Sequence, residues 1–358
     1  MGVQPRRVLE ATLAGARYRS EPWRITPADF FSEVEKLRAA FARLVHCSAD
    51  NIAIVPSAGY GVAIAAANIE LKSGDLVLAM YDQFPSNYYS WRRKALAADA
   101  EIHIVNREAG QTWAEALAAA IDELGDRIAV ATLEGHHWAS ADAVDLGAVI
   151  PKLREVGARV VLDLTQTIGA CPLDIGKLAP DFMVAAGYKW QFSPYGVAYF
   201  YVDKNHFDGI PIEEGWINRD GAADFSRLAE FTDAYQPGAR RYDVSEKSSF
   251  SNIAGALAGQ EVLAEWGVET IAATLAGTNE RIATILDSHG FETVPENRRG
   301  PHFQGARLPK TDPRKLAAKL IEQGVYASVR GDNLRVAPHL YTDEEDLARF
   351  DRALGNSL

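Results

Sequence analysis

Cysteine is scarce in this sequence, since 358 residues contain only Cys47 and Cys171. Two distant cysteines predict neither a disulfide framework nor a metal cluster, and they are typical of a reducing cytoplasm. The N-terminal stretch contains no long apolar run before a cleavage site, so secretion is not predicted. The longest uncharged run, residues 52–69, is interrupted by proline and glycine. This run therefore favours a buried strand, a turn and a helix over a membrane span.

Positive charge is also in short supply. There are 37 lysines and arginines against 48 aspartates and glutamates, for a net charge of −11. This balance argues against nucleic acid or an anionic membrane as a partner, although an acidic protein can still hold a basic pocket. With 47% hydrophobic and 24% charged residues, the chain can bury a sizeable core. Its length allows one large domain and a smaller one.

What the sequence does contain is an alternation of short apolar runs with longer helical patterns. The predicted strands are residues 52–55, 76–80, 101–105, 128–133, 159–164, 182–185 and 197–202, followed in the tail by 325–330 and 333–338. Near-continuous apolar strands that alternate with helices predict a mostly parallel sheet covered on both faces.

The α/β alternation ends near residue 202, and residues 203–249 are predicted to be rich in loops. The tail has the pattern of a small α+β domain, in which Asp312 caps one helix and Thr342 forms a capping box with Glu345 at the last. The predicted parts are an N-terminal segment that packs near the small domain (1–25), a large domain (26–250) and a small C-terminal domain (251–358).

Four predicted strand ends carry residues suited to chemistry, and such residues meet at the carboxyl edge of a parallel sheet. Ser57 can cap a helix whose free N–H groups suit a phosphate. Phe84 follows another strand, while Asp163 closes an apolar strand three residues before Gln166. Lys189 lies in AAGYKWQFSPYG between two apolar strands, where burial lowers the pKa of an amine and makes it nucleophilic toward aldehydes. Each residue taken alone also has an ordinary interpretation. The Ser57 turn can serve close packing and the Phe84 ring can belong to the core. Asp163 can cap a helix or turn, and the Lys189 side chain can extend to solvent.

Together these features match what pyridoxal 5′-phosphate (PLP) requires. Its phosphate binds a helix N-terminus, its ring stacks on an aromatic side chain, its nitrogen pairs with an aspartate, and a lysine forms a Schiff base with its aldehyde. His136 and His137 follow another strand at the same edge, and either an acid–base role or an ordinary strand end fits them. A zinc site lacks further ligands in the sequence pattern, so no metal is predicted.

The order and spacing of four segments resemble the class V aminotransferase group of fold type I PLP enzymes. That group includes cysteine desulfurases, kynureninases and isopenicillin N epimerase-like proteins. The segments are DLTQTIGACPLDI, GYKWQFSPYG, FPSN followed by Trp91, and NLRVAPHLYTDEEDL. The resemblance extends from about Phe30 to the C-terminus. It implies a large domain with a mostly parallel seven-stranded sheet sandwiched by helices, and a small C-terminal α+β domain.

The resemblance also implies roles for individual residues. Lys189 is the implied Schiff-base lysine, Phe84 the stacking ring and Asp163 the partner of the pyridine nitrogen. Gln166 is implied to contact the ring 3-oxygen, and Arg335 to bind the substrate carboxylate. The implied phosphate contacts are Ser57, Ala58, Gly59 and Tyr188 and, from the second subunit of a homodimer, Ser251 and Asn252. Trp216 is implied to contact the cofactor across that interface, and Trp138 falls close to a family position that faces the cofactor. His137, from its place after a strand at the same sheet edge, is expected with Trp138 near the substrate.

One expected residue of the desulfurases is absent. Those enzymes carry a catalytic cysteine on a loop shortly before the carboxylate-binding arginine, but LIEQGVYASVRGDNLR has no cysteine. A persulfide mechanism is therefore not expected. The resemblance predicts a cytoplasmic homodimer with active sites at the subunit interface, acting on a small amino acid through an external aldimine and a Cα carbanion. Among the possible reactions, transamination is favoured, and a PLP-dependent β-lyase or an amino-acid epimerase is the alternative.

Overall fold

The structure is a computed structural model that describes residues 2–358. The helices are α1 (Arg6–Arg19), α2 (Ser32–Leu44), α3 (Ala58–Asn68), α4 (Ser86–Ala98), α5 (Trp113–Leu124), α6 (Leu146–Glu155), α7 (Ile175–Leu178), α8 (Phe250–Trp266), α9 (Val268–Ser288), α10 (Pro313–Glu322) and α11 (Glu344–Ser357). The strands are β1 (Ile52–Val55), β2 (Leu76–Met80), β3 (Glu101–Val105), β4 (Ile128–Glu134), β5 (Arg159–Asp163), β6 (Phe182–Ala186), β7 (Ala198–Val202), β8 (Gln304–Ala306), β9 (Ser328–Arg330) and β10 (Asn333–Val336).

The large sheet has seven strands in the order β1-β7-β6-β5-β4-β2-β3. β7 runs antiparallel to both of its neighbours, and the remaining neighbours are parallel. Every residue of β1, β2, β6 and β7 is buried, because helices cover both faces. The predicted mostly parallel, seven-stranded sheet is thus confirmed.

Two hydrophobic clusters lie on opposite faces of this sheet. Phe41 of α2 and Leu117 of α5 belong to one cluster, and Val62 of α3 and Trp91 of α4 belong to the other. Successive residues of β1 alternate between the two clusters, as the pleat of a strand requires. The sheet is therefore the middle layer of three.

The C-terminal part has its own small sheet and core. β10 lies between β8 and β9 and is antiparallel to both. Side chains of α9, α10 and α11 pack with this sheet in a separate hydrophobic cluster. The N-terminal helix α1 packs along α8, where Arg7 forms ion pairs of 2.7 and 3.0 Å with Glu261 and Glu265. The boundaries after residues 25 and 250 stay predictions.

The capping box of the last helix lies one residue later than predicted. Asp343 accepts a hydrogen bond from the N–H of Asp346 at 3.0 Å, and the Asp346 carboxylate accepts one from the N–H of Asp343. Thr342 instead accepts from the N–H of His339 at 3.1 Å. The pairing of Thr342 with Glu345 was wrong because the run TDEED offers a capping residue in both registers. None of the helices formed by residues 2–358 combines the length and apolar character needed to cross a bilayer.

A buried ionic cluster anchors β1. Asp243 accepts hydrogen bonds from Arg38 at 2.8 and 3.1 Å, from Lys247 at 2.8 Å and from the N–H of Ile54 at 2.7 Å. The side chains of Arg38 and Asp243 are fully buried. Because Ile54 lies three residues before Ser57, this cluster holds the strand that leads into the predicted phosphate turn.

Candidate active site

A cavity of about 190 Å³ lies at the carboxyl edge of the large sheet. The segments that follow β1, β2, β4, β5 and β6 all reach it. The predicted site residues that line this cavity are Ser57, Ala58, Gly59, Phe84, Trp138, Asp163, Gln166, Tyr188 and Lys189. The fold therefore brings nine predicted residues together, and we call this space the inner cavity.

Two helix N-termini face the inner cavity. The Ser57 hydroxyl accepts a hydrogen bond from the N–H of Tyr60 at 3.2 Å and so caps α3. The first N–H groups of a helix have no carbonyl partner within it, so Ala58 and Gly59 offer donors here. Ser86, the first residue of α4, lines the same space. This pair of helix ends suits a phosphate group.

Lys189 and Asp163 are the charged centre of the inner cavity. Asp163 is only 5% exposed, and its Oδ1 accepts from the N–H of Thr165 at 3.0 Å. Burial raises the pKa of Asp163, and the nearby Lys189 opposes that rise. Burial lowers the pKa of Lys189 to about 8; Asp163 opposes this shift and Arg335 adds to it. Lys189 therefore has a substantial neutral, nucleophilic fraction near neutral pH, with its Nζ 5.4 Å from the centre of the Phe84 ring.

Gln166, which also lines the inner cavity, has a side-chain donor without a partner in the described part of the chain. Its Oε1 accepts from the indole N–H of Trp190 at 3.2 Å, which fixes the orientation of the amide. Its Nε2 is buried and has no hydrogen-bond partner among residues 2–358. A buried amide donor without a partner is uncommon in proteins. This donor therefore indicates that a ligand with an acceptor oxygen belongs beside Gln166.

Glu134 is a site residue that the sequence patterns do not single out. It ends β4 directly opposite Asp163 of β5, and its carboxyl accepts hydrogen bonds from the N–H groups of Phe84 and, at 3.0 Å, Trp138. Burial raises the pKa of Glu134 to about 8, and the charge of Asp163 adds to the rise. The Phe84 and Trp138 rings meet edge to face at 5.5 Å. An acidic residue at the end of an apolar strand, as at Asp163, was the available signal.

A second cavity of about 600 Å³ adjoins the first and shares Phe84, Trp138, Gln166, Tyr188 and Lys189 as its wall. We call it the outer cavity. Its further lining residues include Tyr326, Arg330, Arg335, His339 and Tyr341. Of these, only Arg335 is a predicted site residue. His339 and Tyr341 belong to the same NLRVAPHLYTDEEDL segment, but the resemblance implies no role for them, and Tyr326 and Arg330 lie outside the four segments.

Arg335 offers a free guanidinium to the outer cavity. It lies 4.4 Å from the centre of the Phe303 ring and forms no ion pair within residues 2–358. Burial, together with the charge of Arg330, lowers the pKa of Arg335 to about 10. An unpaired, partly buried guanidinium suits a carboxylate, which it can bind with two parallel hydrogen bonds.

His137 does not reach either cavity. Its Nε2 lies 3.1 Å from the carbonyl oxygen of Tyr81 and its Nδ1 3.1 Å from the Ser140 hydroxyl, while its ring stacks on Trp113. The predicted substrate contact of His137 is therefore corrected to a packing role. The neighbouring His136 is the histidine that lines the inner cavity.

The residues predicted to act across a subunit interface lie apart from the inner cavity of their own chain. Trp216, which is 46% exposed, and Ser251 line a separate cleft beside Phe30. The Asn252 amide donates to the carbonyl oxygen of Tyr195 at 3.4 Å, next to the rim of the inner cavity. Their contact with a cofactor stays a prediction.

Comparison with known proteins places these features in a family. The family model described as Aminotransferase class-V matches residues 24–349. The chain belongs to the class-V aminotransferase family. It is therefore an enzyme, and its cofactor is PLP, which a similar solved structure, a mutant of C-DES, holds covalently linked to glycine. The resemblance predicted from the four sequence segments is confirmed.

Three proteins similar to this chain are a kynureninase, an epimerase and a C–S lyase. The class-V chain is 27% identical to a kynureninase of Bacillus anthracis over 285 residues, which is 76% of this chain and 65% of that protein. It is 24% identical to an isopenicillin N epimerase of Streptomyces clavuligerus over 349 residues, 92% of this chain and 86% of the epimerase. The cystine C–S lyase C-DES, solved with its product cysteine persulfide, has a TM-score of 0.90 at 21% identity. That match covers 99% of this chain and 95% of C-DES and confirms the fold type I architecture.

The inner cavity of the class-V chain fits PLP on its own chemistry. The unpartnered Nε2 of Gln166 meets the need of the ring 3-oxygen for a donor. The N-termini of α3 and α4 supply donors for the phosphate, and buried Asp163 supplies a carboxylate for the ring nitrogen. The partly neutral amine of Lys189 suits the aldehyde.

Proposed function

We propose that this class-V enzyme is an aminotransferase that acts on a small amino acid. The observation that carries the proposal is the position of Lys189, which lines both the inner and the outer cavity. Its pKa of about 8 lets it exist both with and without a proton near neutral pH. One such amine can take a proton from the substrate Cα and deliver it to the carbon on the far side of the amino nitrogen, two bonds away, which is the transfer that transamination requires.

The other side chains would bind and orient. When bound, PLP supplies an electron-withdrawing ring that makes the substrate Cα–H bond more acidic. Asp163 would hold the ring nitrogen protonated, and Gln166 would donate to the ring oxygen. The phosphate would contact the turn formed by Ser57, Ala58 and Gly59, with the Tyr188 hydroxyl alongside, and Phe84 would stack on the ring. Arg335 would clamp the substrate carboxylate in the outer cavity, and Trp138 would form the wall between the two cavities.

We also propose that the enzyme is a homodimer. Trp216 and Ser251 line a cleft that is separate from the inner cavity of their own chain. Asn252 lies next to the rim of that inner cavity. These residues can therefore contact a second copy of the chain. Analytical ultracentrifugation tests the assembly. If these residues complete the partner's site, Trp216→Ala weakens PLP binding, whereas an exclusively monomeric holoenzyme contradicts the proposal.

A β-lyase reaction is the second candidate, favoured by the kynureninase relative that aligns over 76% of the chain. The epimerase relative likewise favours inversion at Cα, which needs a second base besides Lys189. Tyr188, directly before Lys189, and His136, on the segment after β4, line the inner cavity and are the available groups.

A donor screen separates these reactions. The holoenzyme is incubated with each L-amino acid, with and without a 2-oxo acid acceptor. Transamination converts the cofactor to its amine form and yields a new amino acid only with the acceptor. A β-lyase releases products without an acceptor, and an epimerase yields the D-enantiomer with solvent deuterium at Cα. Absence of all three signals with every substrate would refute the proposal.

Lys189→Ala should abolish every activity and the visible absorbance of lysine-bound cofactor. The matched control is Lys177→Ala, because the Lys177 side chain is 86% exposed and lies outside both cavities. If the absorbance survives in Lys189→Ala, the cofactor is held by a different amine and the site assignment is wrong.

A further inference from the structure

Three side chains from distant parts of the chain meet behind the inner cavity. Cys171 Sγ lies 3.8 Å from His136 Nε2 and 3.6 Å from His302 Nδ1. Potential ligand atoms of the three residues all lie within 4.8 Å of one another. His136 is 7% and His302 0% exposed, and Cys171 is half-buried. The roles described above use neither Cys171 nor His302.

The spacing of these atoms is that of a tetrahedral metal site. Zinc binds sulfur at about 2.3 Å and imidazole nitrogen at about 2.0–2.1 Å, which puts a sulfur and a nitrogen ligand about 3.6 Å apart. Both sulfur–nitrogen distances are close to that value. The two imidazole rings cross at 84°, and both nitrogens and the sulfur lie within 4.8 Å of one another.

The outer nitrogen of each ring has an oxygen partner. His302 Nε2 donates to the carbonyl oxygen of Gln166, and His136 Nδ1 lies 3.0 Å from the Thr167 hydroxyl. Because a carbonyl only accepts, a neutral His302 carries its proton on Nε2 and leaves the lone pair of Nδ1 facing Cys171. Such outer hydrogen bonds fix the tautomer of metal-binding histidines. Burial lowers the pKa of His136 to about 4 and the pKa of His302 well below its usual value, so both rings are neutral at pH 7, as ligands must be.

The backbone also leaves room for this cluster. A Cβ atom on Gly300 would lie 2.6 Å from His136 Cδ2 and 3.0 Å from His136 Nε2. Only glycine at this position allows the His136 ring its present place beside His302.

We propose that His136, Cys171 and His302 bind one thiophilic metal ion of the Zn²⁺ type, with a fourth coordination position open. Binding replaces the Cys171 S–H proton, which passes to solvent, with a metal–sulfur bond. Cys171 also lines a separate surface cleft of about 640 Å³, which provides a route of entry to the sulfur. The ion would join the segments after β4 and β5 to the segment before β8 and would hold the backbone of Gln166 in place.

Cobalt titration of the holoenzyme tests this proposal, because tetrahedral Co²⁺ bound to a thiolate is coloured. After dialysis against a chelator, we expect one Co²⁺ ion to bind per chain. The bound ion should give a thiolate-to-cobalt charge-transfer band and ligand-field bands, and the ligand-field bands should lie at longer wavelength than the absorption of the cofactor. Zn²⁺ should displace it. Cys171→Ser and His302→Gln should abolish these bands. Cys47→Ser is the matched control, because burial raises the pKa of both thiols to about 12 and Cys47 lies outside the cluster.

Two results would overturn the proposal: no cobalt bands in the wild-type holoenzyme, or bands that persist in Cys171→Ser. If His302→Gln does not fold, Cys171→Ser still decides, because it exchanges a single atom. Thermal unfolding gives a second readout, in which Zn²⁺ raises the melting temperature of the wild type and of Cys47→Ser but not of Cys171→Ser. None of these measurements depends on amino-acid turnover, so this proposal and the proposed function fail separately.

Discussion

Replacing Glu134 by alanine tests whether one buried carboxyl positions both aromatic walls of the inner cavity. The carboxyl accepts from the N–H groups of Phe84 and Trp138, and alanine leaves both donors without an acceptor. Each buried donor that loses its partner costs about 1–3 kcal/mol. Water can enter through the cavity that Glu134 lines, so we expect the lower end of the sum, a loss of about 2–3 kcal/mol of unfolding free energy.

Urea unfolding of the apoenzyme measures this loss, and PLP titration measures its effect on the site. Glu134→Gln keeps the size and one acceptor oxygen, so its loss should be about half as large. Glu123→Ala, at an exposed position of α5, is the control and should change stability by less than about 0.5 kcal/mol. We also expect about tenfold weaker PLP binding in Glu134→Ala, equivalent to about 1.4 kcal/mol, because Phe84 is no longer anchored. Wild-type stability together with wild-type PLP affinity would refute the positioning role.

Three further predictions concern Lys189, Arg335 and Asp243. In the apoenzyme, the reaction of Lys189 with an aldehyde reagent should increase with pH through a midpoint near 8, because burial lowers its pKa and the neutral amine is the reactive form; a midpoint near the ordinary 10.5 contradicts this. Arg335→Ala should raise the substrate KM about 10- to 100-fold, since it removes a charge-assisted hydrogen bond of about 1.5–3 kcal/mol. Steady-state kinetics measures the effect, with Arg335→Lys as the control that retains the charge. An unchanged KM would show that Arg335 does not bind the substrate. Asp243→Asn should cost about 3–5 kcal/mol in urea unfolding, because it leaves buried Lys247 without a counter-charge and Arg38 with Glu35 alone. The same change at fully exposed Asp208 should cost little, and equal effects would contradict the importance of burial.

The strands of the large sheet are predictable because each is a short, largely apolar run between helical patterns. β1, β2 and β3 begin and end at the predicted residues. β8, by contrast, is not predicted. It has only three residues, Gln304–Ala306, and contains a glycine and a polar side chain. Its conformation depends on pairing with β10, which no local pattern indicates.

The site residues also divide into those that the sequence predicts and those that only tertiary packing determines. Residues directly after a strand, such as Asp163, are predictable because the fold brings strand ends together. Which of two adjacent residues faces the cavity is a matter of tertiary packing: His136 faces it and His137 packs under Trp113. His302 reaches Cys171 only through the docking of the C-terminal part on the large sheet, a contact between residues 131 positions apart in the sequence.

The outer cavity takes its walls from two different sheets, and this has a consequence for protein engineering. Lys189 and the other groups proposed for proton transfer lie at the edge of the large sheet, whereas Tyr326, Arg330 and Tyr341 lie on or beside the small one. Substitutions in or beside the small sheet, other than at Arg335, should therefore change which amino-acid side chain is accepted without altering the reaction. Residues 326–341 form one continuous segment of the sequence. Replacing this segment with the corresponding segment of a relative is a direct route to an enzyme that accepts a different amino acid.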